Sequence, residues 1–261
     1  MKLLTKWFVQ QNMSNSYFTA LRDACAASER ECEGFTLIPF SDELPPLDLR
    51  EPSVLMGSTT LHRVCDTDQY RNYLFFDKEN FKPSVYLSHH GSHMLNPDLQ
   101  VVKIEDVPSL GFNPDDEVFI RSNDDSKQVS GGVTTFQSLL DISVNTGTHY
   151  IDGDLVTPET ELVVASVKDL LTEYRLVFLE GQLIGSSRYR PTIEFDVPDT
   201  VKQFGIERAS TWTPAPVCVM DLCETPDDGV KLIEFNSFNG SGFYKCDLPS
   251  IVHSVSRYLE V

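Results

Sequence analysis

Hydrophobic and polar positions divide the chain into two regions of different character. In the first hundred residues, segments of helical and of strand-like spacing alternate. Residues 17–30 carry apolar side chains at helical intervals, whereas 35–40 and 54–60 contain the short apolar runs of buried strands. A further helix is expected to begin near Leu61. This alternation predicts an α/β region with parallel strands.

Residues 106–116, which contain two prolines and a glycine, are predicted to be a connector. The pattern after it favours antiparallel strand pairs: strands at 117–121 and 162–166, hairpins at 174–179/182–186 and 217–222/230–236, and helices at 200–208 and 249–261. We therefore expect an N-terminal α/β domain over 1–105 and an α+β domain over 106–261.

Composition and charge restrict the class of protein. The 261 residues include 39 acidic and 21 basic side chains, a formal charge of −18, which argues against a broad nucleic-acid-binding surface. The 41% hydrophobic content is too high for general disorder, and no apolar run is long enough to predict a membrane span. The six scattered cysteines and the brief apolar N-terminus predict reduced thiols and a cytoplasmic protein.

The final predicted strand pair brings oxygen-bearing side chains together. Glu234 and Asn236 are two positions apart and so share one face of a strand, and Asp221 can lie opposite them in the hairpin. Two carboxylates and an amide oxygen suit Mg²⁺ that also binds nucleotide phosphates. The alternative is a solvated polar face of the hairpin.

Basic residues and glycines form a second pattern. Arg121 ends a predicted strand, and Lys127, Gly131 and Gly132 follow it in a polar segment. Glycines allow backbone N–H groups to approach an anion, and the two cations would neutralise it. The segment lacks the Walker spacing, and a flexible surface loop is the alternative.

A third pattern places several cations near one carboxylate. Glu173 and Arg175 share a strand face, and Arg188 and Arg190 follow on the next predicted strand. These residues indicate a surface that binds anions. Cross-strand ion pairs, which contribute little to stability, are the alternative.

Together these motifs resemble the ATP-grasp superfamily over residues 117–247, with 1–105 similar to its N-terminal domain only in outline. The segment 236–244 is similar to a bacterial and phage clade of unassigned substrate. The resemblance assigns magnesium to Asp221, Glu234 and Asn236, the phosphates to Arg121, Lys127, Gly131 and Gly132, the adenine hinge to Val164, Ala165, Ser166 and Val167, the ribose to Glu173, and the transferred phosphoryl group to Arg175.

The resemblance also implies the chemistry. ATP, with Mg²⁺ or alternatively Mn²⁺, would lie between two α+β subdomains and phosphorylate a substrate carboxylate. An amine, or less often a thiol, would then attack the acyl phosphate. An amino acid or peptide is the expected partner, and Arg188 and Lys245 are expected to hold the carboxylate. The alternatives are an acidic binding protein that mimics nucleic acid and an ATP-grasp phosphotransferase.

Three histidines, His89, His90 and His93, lie close together in the first region. They have no carboxylate nearby in sequence, so we interpret the segment as a loop rather than as a zinc site.

Overall fold

The computed structural model describes residues 3–38, 43–58, 61, 65, 68–124, 129–145, 150–151, 154–155 and 157–261. It begins with a parallel three-stranded sheet in the order β2-β1-β3, formed by β1 (Lys6–Gln10), β2 (Glu31–Phe35) and β3 (Ser53–Met56). Helix α1 (Asn15–Ala27), which Ser14 caps, connects β1 to β2. The α/β prediction for this region is therefore confirmed.

The predicted strand over 35–40 was wrong, because β2 ends where that strand was expected to begin. Residues 36–38 have no regular structure, and the Ile38 side chain is 67% exposed. Parallel pairing with β1 selects the more polar segment Glu31–Phe35, in which Glu33 forms an ion pair with Lys6 at 2.6 Å. Residues 39–40 lie outside the described residues, as do the positions that directly follow Leu61.

The second sheet is antiparallel in the order β11-β10-β12-β13. Both of its hairpin turns carry residues with positive φ: Glu180 and Gly181 at 48° and 74°, and Gly229 at 69°. The two-residue turn Glu180–Gly181 matches the twist of its flanking strands. The strands are β10 (Thr172–Leu179), β11 (Gln182–Arg190), β12 (Val217–Thr225) and β13 (Gly229–Ser237).

A third sheet, in the order β4-β9-β5-β6, is also antiparallel. Helix α3 (Phe136–Val144) packs on its apolar face through Phe136 and Leu139. The strands are β4 (Gln100–Lys103), β5 (Glu117–Ser122), β6 (Gly132–Thr135) and β9 (Glu161–Ser166), and a small pair is formed by β7 (Tyr150–Ile151) and β8 (Asp154–Leu155). The predicted α+β character of this half is confirmed.

Two helices cover opposite faces of the second sheet. Helix α4 (Asp199–Thr211) packs over Leu176 and Leu222. Helix α5 (Leu248–Leu259) packs over Val177 and Val219, within a core that also contains residues of β1, β3 and α1. The parallel sheet and the second sheet thus share one core. Strand β4 lies before the proposed domain boundary at residue 105 and pairs with β9, which lies after it. The boundary itself remains a prediction.

The three histidines belong to regular structure, so the loop interpretation was wrong. His89 and His90 end helix α2 (Pro83–His90), and His93 lies in the 3-10 turn that follows. His89 stacks on Trp212 with ring centroids 4.2 Å apart, and the buried His90 lies 5.5 Å from Phe235. These rings therefore pack α2 against α4 and β13.

His90 is expected to make stability depend on pH. Burial, together with the charge of Arg208, lowers the pKa of His90 from 6.5 to about 4. Between these values the unfolded chain binds a proton that the folded chain does not, so the free energy of unfolding should fall on acidification, by on the order of 2–3 kcal/mol. Chemical denaturation at pH 7 and pH 4.5 measures this, and His90→Leu should show a smaller loss than the unaltered protein. An equal loss in both proteins contradicts the assignment.

Every one of the six cysteines is a free thiol in the structure, as predicted. Among the described residues, no helix combines the length and apolar character needed to cross a membrane.

Candidate functional site

The three side chains predicted to bind magnesium lie together on one face of the second sheet. Asp221 of β12 is directly opposite Glu234 of β13 in the strand register. The Asn236 amide nitrogen donates hydrogen bonds to Asp221 Oδ2 and to Glu234 Oε1, each at 3.0 Å. The two carboxylates and the amide therefore form one polar cluster.

The amide oxygen of Asn236 bears on whether the residues of this cluster fit a cation. Asn236 Oδ1 is buried and has no hydrogen-bond partner among the described residues. Buried polar atoms are usually satisfied, so an unpartnered one calls for an explanation. An oxygen beside two carboxylates belongs to the donor set that hard divalent cations prefer, and the residues present fit Mg²⁺.

Each carboxylate of the cluster is paired with an arginine. Arg175 holds the buried Asp221 in a bidentate arrangement, with Nε–Oδ1 2.8 Å and Nη2–Oδ2 2.7 Å, and its Nη1 donates to the Gly242 carbonyl at 2.7 Å. Arg121 of β5 forms an ion pair with Glu234. Burial opposes the charged form of Arg175, but Asp221 outweighs it and raises the pKa of the guanidinium. The four charges thus balance one another.

Asp221 and Glu234 of this cluster line a cavity of about 540 Å³ bounded by the second and third sheets, whereas Asn236 is buried and is not part of the lining. The cavity reaches the buried Asp221. A Cβ at Gly131 would lie 3.3 Å from the Phe119 ring, whereas one at Gly132 would meet only the Ser130 carbonyl oxygen at 4.0 Å. The predicted residues that line it are Arg121, Gly131, Gly132, Val167, Glu173, Arg175, Asp221 and Glu234. Lys127 lies outside the described residues.

The predicted adenine hinge only partly faces the cavity. Val164 and Ala165 are buried within β9, where they pair with neighbouring strands, while Val163 and Val167 line the cavity. The backbone of Ser166 is already bonded, because its N–H donates to Asp98 Oδ2 at 3.0 Å and its carbonyl accepts from Asn96 at 2.9 Å. The lining therefore includes the last residue of the predicted segment, Val167, and the residue just before the segment, Val163.

A β-bulge separates Arg188 from the site. Arg190 pairs with Glu173, but Arg188 pairs with Tyr174, so the extra residue of β11 is Tyr189. Cross-strand partners share a face, and Arg188 therefore lies on the face opposite Arg175. It forms an ion pair with Glu194 at 2.5 Å. This geometry does not support Arg188 as a ligand of the substrate carboxylate.

Lys245 also lies outside the cavity lining. Its side chain is exposed, and its Nζ is 5.4 Å from the centroid of the Phe195 ring. The segment that carries it does reach the site, because the preceding residue, Tyr244, lines the cavity.

Sequence reasoning missed three lining residues that bulges or an unusual backbone place there. Tyr189 is the extra residue of one of the two β10–β11 bulges, and Ile233 is the extra residue of a bulge between β12 and β13. Tyr244 has a positive φ of 49°. The Tyr189 hydroxyl donates to Glu173 Oε2 at 2.7 Å, and burial with nearby Asp221 and Glu173 raises its pKa. Strict alternation along a strand gives no signal for these positions.

The fold and this site define an ATP-grasp protein. A family model described as "ATP-grasp domain, R2K clade family 3" matches residues 75–255, so the chain belongs to that family. No curated protein matches the chain.

Solved structures share the fold at low identity. The D-cycloserine synthetase DcsG superposes with a TM-score of 0.64 at 13% identity, covering 98% of this chain and 99% of that one. The RimK domain ATP-grasp protein from Sphaerobacter thermophilus DSM 20745 gives 0.60 at 13%, covering 97% and 99%. The ATP-grasp ligase PsnB, complexed with minimal precursor, Mg and ADP, gives 0.56 at 10%, covering 100% and 99%. The mixed helix and sheet architecture is thus that of the ATP-grasp fold.

Proposed function

We propose that the protein is an ATP-dependent ligase that joins a carboxylate to an amine, or less often a thiol, through an acyl phosphate. The observation that carries the proposal is the pair of carboxylates Asp221 and Glu234, bridged by Asn236 and paired with two arginines, which lines the cavity between two sheets of an ATP-grasp chain. Its solved neighbours include proteins named as ligases and as a synthetase.

Asp221, Glu234 and the free oxygen of Asn236 would hold Mg²⁺, or Mn²⁺ in its place. When bound, the ion would neutralise negative charge on the phosphates of ATP. The neighbour PsnB, solved with Mg and ADP, supports this choice. Because Asp221 and Glu234 are paired with arginines, these carboxylates would have to release the arginines in order to hold the ion, and we expect Mg²⁺ and the nucleotide to bind together.

The arginines released by that exchange would face the nucleotide. Arg121, with Lys127 and the N–H groups near Gly131 and Gly132, would contact the phosphates. Arg175 would stabilise the charge that develops as a substrate carboxylate oxygen attacks the γ-phosphorus and ADP leaves. The amine then attacks the carbonyl carbon, and phosphate leaves. Preorganised cations contribute most of the catalysis in this scheme.

The remaining groups of the cavity would hold the nucleoside. Glu173 accepts hydrogen bonds from the Tyr189 hydroxyl at 2.7 Å and from Arg190 at 3.0 Å, which fixes its carboxylate for a ribose hydroxyl. Val163, Val167 and Ile233 provide apolar surface for the adenine ring.

We propose that the carboxylate and the amine belong to amino acids or peptides. PsnB is described in complex with precursor peptide PsnA2, and the macrocyclase MdnC from Microcystis aeruginosa MRC is described bound with precursor peptide MdnA. Both share the fold over nearly the whole chain, MdnC with a TM-score of 0.57 at 11% identity. We propose that the same class of carboxylate and amine reacts in this cavity, inside the cytoplasm.

Turnover is expected to yield ADP and phosphate rather than AMP and pyrophosphate, because magnesium and the arginines would activate the γ-phosphoryl group. Chromatography of the nucleotide after incubation with pooled amino acids and peptides measures this. Accumulation of AMP contradicts the acyl-phosphate route.

Hydroxylamine added to the same reaction provides the control for the intermediate. It should trap the acyl phosphate as a hydroxamate. ADP formation with a stable phosphorylated product and no hydroxamate identifies a phosphotransferase instead. If the protein binds no nucleotide at all, the alternative that remains is the acidic binding protein.

A further inference from the structure

Tyr244 forms part of the cavity wall but has no role in the scheme above. It follows β13 in the segment that connects the Glu234–Asn236 cluster to α5. The side chain is 46% exposed although it lines the cavity beside Arg175. It is therefore accessible to a molecule that enters the site.

The ring of Tyr244 is held flat against Tyr189. The two centroids are 4.9 Å apart and the rings are within 8° of parallel. The Arg175 guanidinium carbon lies 5.7 Å from the Tyr189 centroid and 5.0 Å from the Tyr244 centroid. The guanidinium therefore contacts both rings, and Tyr189 covers one face of the Tyr244 ring. The face of Tyr244 that is turned away from Tyr189 is called its outer face.

The backbone of Tyr244 has a conformation that tyrosine rarely adopts. Tyr244 has a φ of 49°, in the left-handed region that bulky residues rarely adopt. Arg175 Nη1 donates to the Gly242 carbonyl at 2.7 Å, which ties the segment to the guanidinium. A glycine or asparagine would suit such a position better. Strained residues of this kind concentrate at ligand sites.

We propose that Tyr244 is a specificity-determining residue whose outer face stacks on the substrate, and that the substrate is a carboxylate with an aromatic or other planar group close to the carboxyl carbon. This inference rests on the proposed function, in which Arg175 meets the carboxylate. A π face fixed next to a guanidinium offers stacking and charge within one small subsite. The tyrosine pair thus selects among carboxylates, while Arg175 and the magnesium cluster carry out the chemistry.

The test compares the binding of phenylacetate and cyclohexylacetate, which match in size and charge but differ in planarity. Saturation-transfer NMR titrations are made with the full chain in the presence of Mg²⁺ and a non-hydrolysable ATP analogue. The unaltered protein should bind phenylacetate about two- to tenfold more tightly than cyclohexylacetate, the range that stacking supplies. Tyr244→Phe should keep that preference, whereas Tyr244→Ala and Tyr244→Gly should abolish it.

Two controls separate this proposal from other failures. Tyr258→Ala removes another partly exposed tyrosine, on α5 and outside the cavity lining, and should keep the preference. Tyr244→Gly relieves the positive φ, so its unfolding transition checks that lost binding is not lost folding. Equal binding of the two carboxylates by the unaltered protein, or a preference that survives in Tyr244→Gly, overturns the proposal. The thermal shift caused by the nucleotide analogue is recorded for each variant, and its absence in the unaltered protein instead overturns the proposed function.

Discussion

Replacing Glu234 with Gln is expected to lower turnover at least about a hundredfold, the scale of losing one preorganised electrostatic element. The substitution keeps nearly the same shape but removes one of the two negative charges that would hold magnesium. The amide oxygen of the new glutamine side chain can still accept the hydrogen bond that Asn236 donates to Glu234. The loss should therefore appear as weakened response to Mg²⁺, measured as ADP release across a magnesium titration.

The same variant should be only moderately destabilised. The ion pair of Glu234 with Arg121 is lost, and both side chains are mostly buried, with 18% and 11% of their surfaces exposed. A cost of about 1–3 kcal/mol lies between that of an exposed pair and that of a fully buried one. Glu224→Gln is the matched control on β12, since Glu224 accepts from the Tyr174 hydroxyl outside the cavity lining. Equal activity in the two variants contradicts the magnesium assignment.

Replacing Arg175 with Met is expected to affect both stability and turnover. Asp221 is buried, and its two oxygens accept from Arg175. Removing the guanidinium leaves a buried carboxylate without its ion-pair partner, which typically costs about 3–5 kcal/mol. Turnover should become undetectable, because the charge proposed to stabilise the transferred phosphoryl group is absent. Chemical denaturation and ADP release measure the two effects.

A double variant separates the structural role of Arg175 from the proposed catalytic one. Arg175→Met combined with Asp221→Asn removes both charges of the pair and should recover most of the lost stability. It should not recover turnover, since Asp221 is also a proposed magnesium ligand. Arg175→Lys keeps a charge but loses the bidentate fork, and we expect intermediate stability. Normal turnover in the stable double variant would falsify the proposed roles of both residues.

The sequence was most informative where the chemistry follows from local spacing. Glu234 and Asn236 share a strand face at any register, and the short turn before β13 brings Asp221 opposite them. The predicted cluster is therefore present in the fold. What spacing could not show is that Arg121 and Arg175 pair with these carboxylates, because those contacts cross between strands distant in the sequence.

Bulges explain why strict alternation along a strand predicts the wrong face for some residues near the site. Alternation puts Arg188 and Arg190 on one face, but the extra residue Tyr189 moves Arg188 to the other. The bulge between β12 and β13 places Ile233 in the cavity lining. Neither carries a glycine or proline signal, since each depends on how two strands fit together. The strand predicted over 35–40 failed for a related reason, because pairing with β1 selected Glu31–Phe35 instead.

The most direct test of the magnesium-dependent ATP site is the melting temperature of the full chain with Mg²⁺ alone, ATP alone, and both together. Ligand at about a hundred times its dissociation constant stabilises the native state by roughly 2.7 kcal/mol. Because Asp221 and Glu234 are already paired with arginines, we predict a clear rise with Mg²⁺ and ATP together and little with either alone. Glu234→Gln should lose most of that rise. A melting temperature that millimolar Mg²⁺ and ATP leave unchanged in the folded, unaltered protein would contradict the account.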